Sequence, residues 1–257
     1  MKIKTLQWNI GGAKVRNEDD DPMDPLVYRF DALAKIIDIL KEYNPDIITI
    51  QESHSDENSS QAEVIAKSLG LDYVADDVYE ESHIESEKGL DQAIISRFPI
   101  EKHNFTFFYN PKLETLGPKG EHWVSHEKGV TSCLIKLGHD LILNMKTSHS
   151  FPYRRFNVEP LSEQMLELRG DMAEKLKPEA VTYLYQGDLN YNEFSLQSLL
   201  PELLQNGVQE VILNEPTTPK GRKYDHVVYR GLRHLSSKVV SSVLTDHFPI
   251  ISEFEID

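Results

Sequence analysis

The chain has one cysteine, Cys133, among 257 residues, which excludes an internal disulfide and fits a reducing compartment. Cys133 lies in the apolar run 130–137, so its thiol reads as a buried core group rather than a nucleophile. No apolar run approaches the length that spans a bilayer, and residues 1–10 lack the apolar stretch of a signal peptide. The expectation is a soluble cytoplasmic protein with no disulfide-linked partner and no membrane-spanning segment. Positive charge is also scarce: 27 Lys and Arg stand against 42 Asp and Glu, for a net charge of -15. Proteins that grip long duplex nucleic acid rely on a basic footprint, so this balance counts against such binding. It leaves room for a small or single-stranded phosphate substrate held locally. A zinc-protease HExxH is absent too. His122 and His126 have its spacing, but Trp123-Val124-Ser125 between them reads as loop or strand, and no zinc site is expected.

What is present is ordinary globular composition, 39% hydrophobic and 27% charged, in a chain long enough to bury a full core. Apolar alternation and β-branched runs predict strands at residues 3–10, 46–51, 91–96, 130–137, 141–147, 181–186, 223–229 and 248–254. Helical spacing predicts helices over 28–43, 160–177 and, more briefly, 194–204. Ser60 followed by Glu63 is a capping box for a further helix that stops at Gly70. The acidic, proline-punctuated segment 16–25 reads as a solvated loop near the end of the first strand. Strands outnumber helices and several are adjacent in sequence, unlike the alternation of a doubly wound sheet. Two packed mixed sheets with helices outside suit this order, as one domain over 1–257.

Several strands end in short polar groups: Trp8-Asn9-Ile10, Gln51-Glu52, Gly187-Asp188-Leu189-Asn190 and, before the last strand, Thr245-Asp246-His247. Asn9 and Glu52 offer hard oxygen ligands for an octahedral cation whose remaining positions go to water and substrate. Asp188, in a turn opened by Gly187, has the chemistry to orient or deprotonate water, with Asn190 holding a phosphate oxygen. An Asx turn closing a strand explains the same residues equally well. His247 next to Asp246, and Asp225 in Tyr224-Asp225-His226, supply imidazole–carboxylate pairs able to bond a phosphoryl oxygen or move a proton. Taken singly these are weak signals, but all point to one chemistry.

In this order, with Gly89-Leu90-Asp91-Gln92-Ala93-Ile94-Ile95-Ser96-Arg97-Phe98-Pro99-Ile100 between them, the motifs resemble the endonuclease/exonuclease/phosphatase superfamily, the DNase I-like fold. The resemblance runs from residue 8 to about residue 250. It implies an α/β fold, a four-layer α/β/β/α sandwich of two mixed β-sheets flanked by helices, with the site at one rim. It further implies a divalent-metal-dependent phosphoesterase that uses magnesium or manganese. Glu52 would be the principal metal ligand, with Asn9 and Asp246 nearby; Asp188 would activate water, Asn190 would hold phosphate, and His247 would face the scissile group, steadied by Asp225.

His149 corresponds to the family's strand-end histidine, but Ser148 stands between it and Thr147, where many members have Thr-His directly. A one-residue slip reverses a strand's face unless a bulge restores it; a functional His149 is nevertheless expected. In Phe151-Pro152-Tyr153-Arg154-Arg155-Phe156, Arg154 or Arg155 would grip phosphate and Tyr153 would stack on a ring, unless this is a surface loop with aromatics tucked inward. The expected substrate is a phosphate ester, nucleic acid or nucleotide first, cut by a nuclease or nucleotide-type phosphodiesterase. The alternatives are a phosphatase or phospholipase C-type hydrolase of inositol phosphates or sphingomyelin, or a non-catalytic interaction domain on the same fold.

Overall fold

A computed structural model describes residues 1–117 and 120–256. In chain order the elements open with β1 (Lys2–Asn9), β2 (Lys14–Val15), β3 (Phe30–Asp31), α1 (Leu33–Tyr43), β4 (Ile47–Ser55) and α2 (Gln61–Leu69). Next come β5 (Tyr73–Glu81), β6 (Gly89–Ser96), β7 (Ile100–Phe107), β8 (Glu114–Leu116), β9 (His122–Val124), β10 (Gly129–Lys136) and β11 (Ile142–Ser148). The chain closes with α3 (Leu166–Leu176), β12 (Thr182–Asp188), β13 (Gln209–Glu210), β14 (Asp225–Arg230), β15 (Arg233–Val239) and β16 (Ile250–Glu255).

Two six-stranded mixed sheets result, ordered β15-β16-β1-β4-β6-β5 and β13-β14-β12-β11-β10-β7. Only β1–β4 in the first and β11–β12 in the second pair in parallel. Helices α1 and α2 lay Ile36, Leu40, Ile65 and Ala66 on Leu6, Trp8, Ile48 and Ile50 of the first sheet. Helix α3 lays Leu168, Met172 and Leu176 on Tyr183 and Tyr185 of the second. Ile3, Ile47, Ile94, Met145, Leu184 and Phe254 fill the space between sheets. These layers are the expected α/β/β/α sandwich. Among the described residues no helix is long and apolar enough to cross a membrane.

Strand alternation grades the inter-sheet space from apolar to polar toward one rim. On β1 the inward set is Ile3, Thr5, Gln7, Asn9; on β4 it is Ile47, Thr49, Gln51; on β12 it is Leu184, Gln186, Asp188, all buried. The glutamines bond across the gap: Gln7 Nε2 to Asp225 Oδ1 at 2.8 Å, Gln51 Nε2 to Thr147 Oγ1 at 2.7 Å, Gln186 Nε2 to Thr5 Oγ1 at 2.9 Å. Each amide nitrogen is thereby satisfied, while Gln7 Oε1 and Gln186 Oε1 are buried without a partner.

Several boundaries differ from the sequence reading. Helix α1 begins at Leu33, because residues 30–31 pair with β2 instead. Helix α3 begins at Leu166 after a single 3₁₀ turn, later than the predicted residue 160. Residues 194–204 form turns rather than a helix, although Leu196, Leu199, Leu200 and Leu203 are buried as a helical face would bury them. Ser60 caps α2 as expected: Glu63 N–H donates to Ser60 Oγ at 3.1 Å. Cys133 is buried, and burial pushes its thiol up to about 12, so it is an inert core group.

Candidate active site

The polar ends of β1, β4 and β12, with the turn before β16, meet at one rim around a cleft of about 850 Å³. Asn9, Glu52, His149, Asp188, Asn190, Asp246 and His247 all line it, and Asp225 lies just beneath, fully buried. The sequence-predicted core of the site therefore assembles in one place.

Glu52 sits at a bulge in the β4–β6 register, with φ of +52°. That left-handed backbone is costly for a glutamate, which makes it a strained position of the kind found at functional sites. Burial, then the nearby Asp246 carboxylate, pushes the Glu52 carboxyl up to about 7. Asp246 Oδ1 is itself buried without a hydrogen-bond partner, and a Cβ on Gly11 would approach it to 2.9 Å. Two half-buried carboxylates, Asp246 raising Glu52 and carrying an orphan oxygen, form a donor set that fits a hard divalent cation.

Asp188 is held at both oxygens. Asn190 N–H donates to Oδ1 at 2.8 Å and Asn9 Nδ2 donates to Oδ2 at 3.0 Å. The first bond is the Asx turn, so the turn reading and the site reading are both met by one residue. Asn9 Oδ1 accepts from Gly11 N–H at 3.1 Å, so both ends of its amide are held and it orients Asp188. Burial pushes Asp188 up to about 6, against the pull of His247. Asn190, also left-handed at φ +51°, donates its Nδ2 to Ser150 O at 3.2 Å. Asparagine tolerates this conformation through local hydrogen bonding.

His247 Nδ1 lies 2.9 Å from Asp225 Oδ2, leaving Nε2 3.6 Å from Asp188 Oδ2. Burial works against the imidazolium, but Asp225 and Asp188 outweigh it and hold His247 well above the usual histidine range. Trp8 Nε1 and Thr245 Oγ1 both donate to the His247 carbonyl, fixing its backbone. Asp188, Asp225 and His247 form an acidic–imidazole cluster whose ligand-capable atoms lie within 4.8 Å of one another. The Asp225–His247 bond occupies two of those groups, which leaves Glu52 and Asp246 as the freer oxygen donors.

His149 needs no bulge. Thr147 faces inward to Gln51, Ser148 turns outward to bond Tyr185 OH at 2.9 Å, and His149 returns inward to bridge Asp188 in parallel register. Its Nε2 is 3.7 Å from Asp188 Oδ2 and its Nδ1 is 3.6 Å from Glu52 Oε1. Burial, then Lys128, holds His149 well below the usual histidine range.

The aromatic–arginine segment is corrected in part. Residues 153–156 form a 3₁₀ turn, whose near three-residue repeat puts Tyr153 and Phe156 on the same, inner side. Tyr153 is 0% exposed, its hydroxyl against Ser150 Oγ and Met172, so its ring is closed to a stacking ligand. Arg154 is exposed and does not line the cleft, whereas Arg155 does, with its guanidinium 5.2 Å over the Trp123 ring. Sequence reasoning missed Lys128, Tyr79 and Trp123. Lys128 stands just before β10, a strand-end polar position like those singled out, but a lone lysine there gave no separate signal.

A search of curated proteins by sequence finds no match. Among solved structures, the chain is similar to an endonuclease/exonuclease/phosphatase from Beutenbergia cavernae, at TM-score 0.74 and 14% identity, covering 99% of this chain and 72% of that one. It is similar to one from Bacteroides vulgatus, at TM-score 0.66 and 15% identity, covering 100% of both chains. It is also similar to ANGEL2, a 2′,3′-cyclic phosphatase, in complex with adenosine-2′,3′-vanadate, at TM-score 0.61 and 13% identity, covering 99% and 95%. Likeness at such identity speaks to the fold. The model of the Endonuclease/Exonuclease/phosphatase family matches residues 6–247, a span that contains every strand-end group gathered at the rim, and the chain belongs to that family.

Proposed function

We propose that the protein is a divalent-metal-dependent phosphoesterase that hydrolyses a phosphodiester by in-line attack of water. The observation that carries this reading is Asp188: a buried carboxylate pinned at both oxygens, with two imidazole nitrogens 3.6 and 3.7 Å from Oδ2. A carboxylate so held, beside donors able to face a phosphoryl group, is arranged to hold and deprotonate water.

Glu52 and Asp246 would hold magnesium or manganese, with Asn9 beside them. When bound, the cation polarises a phosphoryl oxygen and stabilises charge on the leaving oxygen. The chain's own groups supply the rest. Asp225 fixes His247 so that its Nε2–H faces the phosphate and bonds the charge that develops there. Lys128 Nζ lies 3.2 Å from His149 Nδ1; donation along that contact makes Nδ1 the acceptor, so Nε2 carries the proton toward the phosphate. Asn190 limits the phosphate's freedom, and Arg155 receives negative charge farther along the cleft. A net charge of -15 suits a short substrate over a long polyanion, so a nucleotide-type diester or a short single strand is the favoured class.

The test is hydrolysis of bis(p-nitrophenyl) phosphate, single- and double-stranded DNA, RNA, sphingomyelin and inositol phosphates with magnesium, manganese or chelator. Turnover of a diester that chelator stops and Asp188→Asn abolishes is expected. No turnover of any phosphodiester, or full activity in Asp188→Asn, overturns the reading.

A further inference from the structure

Among the described residues three lysines are almost fully buried: Lys128 at 3% exposure, Lys146 at 3% and Lys223 at 4%. Burying an ammonium group is costly unless it is paired. Lys146 meets Glu179 at 2.8 Å and Lys223 meets Glu210 at 3.7 Å. Lys128 alone among them has no carboxylate within 4.0 Å among the described residues; its neighbours are His149 Nδ1 at 3.2 Å and the Tyr79 ring at 4.9 Å. This happens in a chain whose acidic groups exceed its basic ones by 15, so carboxylate partners are not in short supply.

Arg155 lines the same cleft but is exposed. Its guanidinium lies 5.2 Å over the Trp123 ring and makes no hydrogen bond or ion pair with a described residue. An arginine laid on an indole keeps its N–H fork free and pre-oriented for a planar bidentate acceptor. His126 lines the cleft as well, with its ring centroid 5.6 Å from that of His83. Glu80 is engaged by other groups: its Oε2 is 3.8 Å from His126 Nδ1 and accepts from Glu127 N–H at 3.2 Å.

We infer that Lys128 and Arg155, with Arg155 seated on Trp123, form a second anion subsite that takes a phosphate group neighbouring the scissile ester. Lys128 stands beside His149, next to Glu52 and Asp188, and Arg155 lies over the Trp123 ring in the same cleft, so two cations without a salt bridge to a described carboxylate border the reaction centre. A substrate with one phosphate satisfies the reaction centre and leaves both cations unpaired. A substrate with two neighbouring phosphates neutralises them. This deepens the phosphoesterase reading and rests on it for the identity of the first phosphate. The second phosphate has two sources, the next linkage or terminus of a nucleotide chain, or the second phosphate of a small bisphosphorylated molecule.

The experiment is calorimetric binding in magnesium buffer to two pairs of probes. One pair is a phosphorothioate-linked thymidine dinucleotide with and without a 5′-phosphate. The other is adenosine 3′,5′-bisphosphate against adenosine 5′-monophosphate. The doubly charged member of at least one pair should bind ten-fold or more tightly than its partner, and the pair that discriminates identifies the source. In Arg155→Ala and Lys128→Met the ratio should fall below three, with circular dichroism and Tm showing that each variant is folded. Equal affinities within both pairs overturn the subsite, as does a preference that persists in both folded variants. Turnover of bis(p-nitrophenyl) phosphate is scored separately: its absence defeats the phosphoesterase reading, while the binding ratios still decide the subsite.

Discussion

The bond from His247 Nδ1 to Asp225 Oδ2, 2.9 Å long, joins the two sheets, since His247 precedes β16 of one and Asp225 opens β14 of the other. It decides which imidazole nitrogen faces the cleft. Asp225 Oδ1 is taken by Gln7 Nε2, so the carboxylate has no freedom to release the ring. Asp225→Asn removes the charge and allows the amide to present its NH₂ to Nδ1, which favours the wrong tautomer. We expect kcat to fall about 100-fold or more, the scale of losing one preorganised donor, with far-UV circular dichroism unchanged. A variant within three-fold of wild type would detach Asp225 from the reaction.

The Glu52–Asp246 pair predicts a metal response that is independent of turnover. Magnesium at about 100 times its Kd adds roughly 2.7 kcal/mol to the folded state, worth several degrees of Tm at this size. Wild-type protein should show that rise in a thermal scan, and chelator should reverse it. Glu52→Gln should show little or none, while its metal-free Tm should equal or exceed that of wild type, because one half-buried carboxylate has gone. An undiminished magnesium shift in Glu52→Gln would move the cation elsewhere.

Asp91 gives a pH prediction away from the cleft. It is 0% exposed, accepts from Ser55 Oγ at 3.0 Å, and has no partner at Oδ2. Burial, then the Asp76 carboxylate, pushes it up to about 7; Asp76 is itself pushed up to about 6 by burial, with Asp77 and Glu63 adding and His103 opposing. Between the ordinary aspartate range and about 7 the folded state therefore binds a proton that the unfolded chain has released. Stability contributed by this pair is full at low pH and is lost as pH rises through that window. Asp91→Asn, which preserves the Ser55 contact, should raise Tm more at pH 8 than at pH 4.5. An equal change at both values would refute the assignment.

Gly187 is the residue before Asp188, and a Cβ there would meet Ser148 O at 2.4 Å and Tyr185 OH at 2.7 Å. The first is backbone and has nowhere to go. Gly187→Ala must spread β11 from β12 where His149 bridges Asp188. Overpacking of this kind costs about 1–3 kcal/mol. We expect Tm to drop by several degrees and diester hydrolysis to fall at least ten-fold, the larger effect being on activity. A stable, fully active Gly187→Ala would show that the two strands have slack.

The sequence made the central strands and the rim legible because both obey simple rules. Strands β1, β4, β6, β10, β11 and β12 are covered on both faces and read as apolar or regularly alternating runs. The missed strands β5, β7, β13 and β15 are edges or end pieces of the two sheets. Their exposed faces carry sequences such as Ile100-Glu101-Lys102-His103-Asn104, in which no single period dominates, and charged edges discourage pairing with other chains. The site carboxylates, amides and histidines were found because they end strands. For Tyr153 the sequence left stacking and an inward tuck both open, because the 3₁₀ turn that turns it inward has no mark in the sequence. Lys128 was missed because what sets it apart is a missing partner, and only the folded arrangement reveals that.

The glutamines bonded between the sheets have a consequence for how the cleft behaves. An apolar interface resists separation but has little to stop one layer from gliding over the other, since greasy contacts are nearly indifferent to small translations. Gln7, Gln51 and Gln186 replace that indifference with directional bonds at fixed stations. The Gln51 and Gln186 bonds end on threonine hydroxyls and carry no charge at any pH, while the Gln7 bond ends on the Asp225 carboxylate. The Glu52 end of one sheet and the Asp188 end of the other are thereby kept at a set gauge, as rails are kept by ties.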